Sequence, residues 1–131
     1  MENTLVIKNS THNFETTYNK LKTIISNNPN LKIILELDHS KNAASVELEL
    51  RPTKIIMFGN PKLGTPLMQA SPTVSIDLPQ KIIVYAAEDS SIKLAYNNPL
   101  YLKERHQIEG QDNVLNKISE ALNMITDKVI E

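Results

Sequence analysis

The 131-residue chain contains no cysteine. That absence excludes disulfide frameworks, thiolate zinc sites, iron–sulfur ligation and cysteine nucleophiles together, and it fits a reducing compartment. No sign of charge dominates either: 14 Lys and Arg face 15 Asp and Glu, a formal balance of -1. Such a balance gives no broad field for phosphate backbones or anionic lipid, so nucleic acid is not an expected partner. No apolar run approaches the ~18 residues of a membrane span. The start, from Met1 to Lys8, holds only the short run Leu5-Val6-Ile7, far from a signal-peptide core. The chain is therefore expected to be cytoplasmic, without a membrane. His12, His39 and His106 share no short ligand spacing, so neither a metal nor another cofactor is expected. No serine stands in a G-x-S-x-G context. Only Arg51 and Arg105 can act as bidentate anion clamps.

The length matches one domain, residues 1–131, large enough to hold a core without staples. Leu5-Val6-Ile7 reads as a short strand. Phe14, Tyr18, Leu21 and Ile25 then share one helical face within residues 13–28. Leu31, Ile33, Leu35 and Leu37 alternate with Lys32, Ile34 and Glu36, the period of a strand with one face buried. Asp38 can cap a short helix through Ala43-Ala44. Thr53 to Phe58 is an apolar strand that enters a sharp turn at Gly59-Asn60-Pro61. Thr65 and Pro66 are placed to cap and open a short helix that Pro72 helps to end. Residues 73–79 read as loop or helical turn. Lys81 to Ala86 and Ile92 to Tyr96 form a hairpin, Asn98-Pro99 opens a helix to about His106, and residues 111–129 are strongly amphipathic.

Two long helices and four or five strands between them imply an α+β fold, a mainly antiparallel sheet with the long helices on one face. The apolar runs Ile55 to Phe58 and Ile82 to Val84 are too continuous for an open wet second face. That face is expected to be covered by the short helices or by a second copy of the chain, and a homodimer is the favoured version.

Phe58-Gly59-Asn60-Pro61-Lys62-Leu63-Gly64-Thr65-Pro66-Leu67-Met68 resembles the signature of the domain-of-unknown-function 302 family. Asp38-His39 with Ala43-Ala44, Leu50 to Lys54, Asp77-Leu78-Pro79 and Tyr96-Asn97-Asn98-Pro99 follow in the order of that family's other elements. The resemblance covers residues 31–106 closely and the ends loosely. It implies a curved antiparallel sheet with helices, in the TATA-binding-protein-like arrangement, often dimeric. It implies no activity, because none is assigned to the family. The resemblance marks where a shared site would lie: residues 38, 39, 59–68, 77–79 and 96.

Three readings of that place follow. The favoured one is a small ligand or partner held by Asn60, Gly64, Thr65, Met68, Asp77 and Tyr96, since glycines permit close approach and a helix start presents free N–H groups. A small enzyme is the alternative, with His39 as general acid or base, Asp38 or Asp77 orienting it, and N–H groups near Gly64-Thr65 facing developing negative charge. In the third, the motifs are structural: Asp38 caps a helix, the glycines shape a turn, Met68 is core, and the whole forms an interface.

Overall fold

Among the described residues, four of the five α-helices start at an asparagine or aspartate cap, and the last starts at Gln111 without a side-chain cap. Asn13, Asp38, Asn60 and Asn98 each accept a backbone N–H with the side chain, from Thr16 (2.8 Å), Lys41 (3.0 Å), Lys62 (3.1 Å) and Leu100 (3.1 Å). Each cap satisfies a donor that the helix itself leaves unpaired. The computed structural model describes residues 3–131. Met1 and Glu2, part of the start read for a signal peptide, lie outside them. In chain order the elements are β1 (Leu5–Ser10), α1 (Phe14–Ser26), β2 (Lys32–Asp38), α2 (His39–Ser45), β3 (Thr53–Gly59) and α3 (Pro61–Ala70). A 3-10 turn (Pro72–Ile76) leads to β4 (Gln80–Ala86), β5 (Ile92–Asn97), α4 (Pro99–His106) and α5 (Asp112–Ile130).

The strands form one open antiparallel sheet in the order β1-β5-β4-β3-β2. The register fixes two faces. Ile56, Ile82 and Tyr96 stand opposite one another across three strands, as do Val84 and Leu94, and all are buried. Tyr18, Leu21 and Ile25 of α1 and Leu115, Ile118, Leu122 and Val129 of α5 complete this core. Burying such side chains contributes about 1.5–3 kcal/mol each. The α+β fold with both long helices on one face is the one the sequence implies.

Three expectations need correction. Helix α3 starts at Pro61 under the Asn60 cap, four residues before Thr65, and Pro66 lies inside it. Both Asn60-Pro61 and Thr65-Pro66 have the form of a helix start. The earlier one prevails, and Pro66, lacking an N–H, leaves the helix one hydrogen bond short.

In β2 a bulge falls between Ile33 and Leu35, so the simple alternation does not hold. Ile33 pairs with Phe58 and packs on the core, whereas Glu36 pairs with Ile56 and Leu35 with Met57. An extra residue shifts every later side chain to the other face. Glu36 thereby faces the helices, where it accepts from the Tyr18 hydroxyl at 2.7 Å and pairs with Lys22 at 3.0 Å.

Finally, α3 and α4 do not cover the second sheet face, and α2 packs mainly on β3. α3 and α4 pack against α5. Leu5, Ile7 and Leu35 remain 53%, 52% and 48% exposed, on the face shared by Ile55, Ile83 and Ala95.

Candidate functional site

The chain leaves β3 at Gly59, turns through Asn60 and enters α3, while β4 begins beside it at Gln80. Between this corner, the end of the sheet and α5 lies a recess of about 380 Å³. Gly59, Asn60, Leu63, Gly64, Thr65 and Met68 supply its corner side. Leu78, Pro79 and Gln80 close another side, and Ile118, Leu122 and Ile125 of α5 form the wall behind. The lining is mostly apolar because α5 presents its core-facing stripe there and α3 presents Leu63 and Met68. Gly64 borders the corner with room to spare: a Cβ built on it would meet Leu78 Cδ1 at 3.7 Å, an ordinary contact. A glycine inside a helix costs about 1 kcal/mol relative to alanine, so the position gives up helix stability while it borders the recess.

Gln80 is the polar exception. It opens β4 on the same face as Ile82 and Val84 and pairs with Phe58 in the register. Its Nε2 is buried and has no hydrogen-bond partner among the described residues. Buried side-chain donors are almost always bonded. An unpaired one costs about 1–3 kcal/mol.

The corner thus brings Asn60, Gly64, Thr65 and Met68 together on the recess. The other proposed ligand residues lie elsewhere. Tyr96 is in the core, 5% exposed, and burial pushes its hydroxyl pKa up. Asp77 is engaged by α4: Arg105 Nη1 donates to its two carboxylate oxygens at 3.1 and 3.0 Å, and His106 Nε2 lies 2.5 Å from Oδ2. The N–H of Gly64 donates to the Asn60 carbonyl at 2.9 Å and is not free for an anion.

Asp38 and His39 sit at the far end of β2 from Lys32, which borders the recess. Six residue steps of strand put roughly 20 Å between the two ends. Asp38 accepts from the Ser40 hydroxyl at 2.7 Å and from the Lys41 N–H at 3.0 Å. The Ser40 bond, followed by the Lys41 amide and the charges of Lys54 and Lys41, holds its carboxyl below the usual range against a desolvation that raises it. The His39 ring makes no hydrogen bond among the described residues and borders neither the recess nor the wider depression beside α2.

Sequence reasoning missed two groups. The first is Gln80, whose signal was a glutamine in phase with the inward residues Ile82 and Val84. The second is the cluster around His106, whose Nδ1 lies 2.8 Å from Thr73 Oγ1 and whose carbonyl accepts from Ser71 Oγ at 2.7 Å. Together with Asp77 it pins the 3-10 turn against α4. No group of three His, Cys, Asp or Glu side chains among the described residues is placed to hold a metal.

Comparison with known proteins bears on these observations. The profile of the family described as "Domain of unknown function DUF302" matches residues 6–125. A crystal structure of an uncharacterized conserved DUF302 protein from Bacillus stearothermophilus superposes with a TM-score of 0.84 at 15% identity, covering 96% of this chain and 98% of that one. That likeness shows the fold. Two curated relatives, both named fluoride-specific ion channel FluC 1, come from Brucella suis and Brucella abortus. Each is 35% identical over 78 residues, 60% of this chain but only 31% and 29% of their own lengths. The match thus spans less than a third of either relative. Among the described residues, no helix is long and apolar enough to cross a membrane.

Proposed function

Taking as premise that the chain belongs to the DUF302 family, we propose that it is a non-enzymatic cytoplasmic domain that binds a small, largely apolar molecule at the corner of residues 59–68. One observation carries this reading: an apolar recess of about 380 Å³ opens where α3, β4 and α5 meet, although the surrounding core is closely packed. A cavity in this size range suits a small organic ligand. The enzyme alternative would need an imidazole at the recess, and His39 stands at the other end of β2. The Brucella relatives share only a segment with this chain. Ion conduction is not carried over to it; a separable binding module is the role that a shared segment supports.

The test is thermal unfolding with toluene, naphthalene and indole, on the wild type and on Gly64→Leu, whose longer side chain fills the corner. A ligand that binds only the folded form stabilises it by mass action, by about 2.7 kcal/mol at 100 times its Kd, and so raises the midpoint. The wild type is expected to respond and Gly64→Leu is not. An unchanged midpoint of the wild type with every probe would refute the reading.

A second reading concerns assembly. The open sheet face carries Leu5, Ile7 and Leu35 about half exposed, with Ile55, Ile83 and Met57 between them. Contiguous apolar surface of this kind marks an interaction site. We propose a second copy of the chain as its occupant, giving a homodimer that leaves the recess, on the opposite side of the sheet, accessible.

A further inference from the structure

The unpaired donor of Gln80 narrows the ligand class, and the narrowing rests on the recess being a binding site as proposed above. We infer that the recess takes a neutral carbonyl compound, a ketone, ester or amide with an apolar body, whose oxygen accepts a hydrogen bond from Gln80 Nε2.

Three observations converge. Gln80 Nε2 is buried without a partner among the described residues, and the residue lines the recess. A group in that state is stabilised by an acceptor brought in through the recess once the amide turns toward it, since no acceptor among the described residues reaches Nε2. Secondly, among the described residues Lys32, at the exposed edge of the sheet, is the only charged one in the lining. A carboxylate placed deep beside Gln80 would be a buried charge without a counter-ion, which is far costlier than a buried carbonyl with one hydrogen bond. Neutral acceptors are thereby favoured over acids. Thirdly, an apolar cavity of 150 Å³ accepts benzene, so about 380 Å³ accommodates a body of roughly fifteen non-hydrogen atoms at the same packing. The ligand is a compact acyl compound, not a long lipid.

The discriminating experiment compares butylbenzene, butyrophenone and 4-phenylbutyrate by titration calorimetry on the wild type and on Gln80→Leu. These probes share a phenyl ring on a four-carbon chain and differ in polar group. In an apolar cleft without a donor the ketone would bind more weakly than the hydrocarbon, because its carbonyl must leave water. The expected result is the reverse: butyrophenone binds wild type at least tenfold more tightly than butylbenzene and than 4-phenylbutyrate. Gln80→Leu removes that preference and retains butylbenzene. The side-chain amide resonance of Gln80 in the wild type moves on adding butyrophenone and stays in place with butylbenzene, a readout that needs no variant. If butylbenzene binds as well as the ketone, or the acid binds best, the inference is overturned while the recess reading stands. If none of the three binds, the recess reading itself is overturned.

Discussion

Ile33 and Leu35 are two residues apart in one strand, yet they lie on opposite faces of the sheet. The bulge between them sends Ile33 to the core beside Phe58 and Leu35 to the open face, 48% exposed. That displacement brings Glu36 under α1 and enlarges the apolar patch that begins at Leu5 and Ile7 on the other edge strand. If a second copy covers this face, Ile7→Lys should abolish the dimer in sedimentation or light scattering. It should alter monomer stability by no more than about 0.5 kcal/mol, because the position is surface on the monomer. An unchanged association state would argue against this face as the contact.

Asp38 is the cap of α2, and its pKa is lowered mainly by the Ser40 hydroxyl. A carboxyl with a folded value below its unfolded value binds more protons in the unfolded chain. Its contribution to stability is therefore complete above the ordinary carboxylate range and is lost as pH falls below about 4 through the folded value. Asp38→Asn keeps an oxygen for the Lys41 N–H but does not titrate, so the acid-side fall of the melting temperature should be shallower than in wild type. Asp38→Ala should cost about 1 kcal/mol at neutral pH. Identical acid limbs for wild type and Asp38→Asn would count against the assignment.

Asp77 anchors the 3-10 turn through His106, whose side chain is only 4% exposed, and through Arg105 at the surface. Removing the carboxylate strands both partners. Asp77→Ala should destabilise by about 2–3 kcal/mol in denaturant unfolding, whereas Arg105→Ala, which loses a partly exposed pair, should cost less than about 1 kcal/mol. Equal effects would mean that the buried imidazole contributes nothing.

The recess makes opposite demands on stability and binding. Gln80→Leu removes an unpaired buried donor and should stabilise the unliganded protein by about 1 kcal/mol or more. Gly64→Ala should add up to about 1 kcal/mol, since the new methyl meets Leu78 only at ordinary contact distance. Loss of stability in both variants would show that the corner is packed more tightly than its geometry indicates.

Much of the fold is legible in the sequence because it is written locally. The Asn13 and Asn98 caps, the stripe from Val114 to Val129 and the hairpin across Ala86 and Ile92 each declare themselves within one contiguous stretch of chain. What is not legible is what tertiary pairing decides. The bulge at Ile34 has no glycine or proline to announce it, and two cap-and-proline pairs compete for the start of α3. The site divides in the same way. Asn60, Gly64, Thr65 and Met68 form one run and share the recess, whereas Asp77 meets a histidine 29 residues away and Tyr96 is drawn into the core. Gln80 escapes notice because its importance lies in having no partner.

On the reading proposed above, a small molecule enters the cavity at the corner after β3. The most direct test of that reading is a two-dimensional amide spectrum of the labelled protein titrated with butyrophenone. Resonances of Gly59, Gly64, Leu78 and Ala121 should shift together in a saturable way while those of Leu5 and Ile7 stay fixed. Shifts confined to the open sheet face, or none up to the solubility limit of the ketone, would rule out binding at this corner.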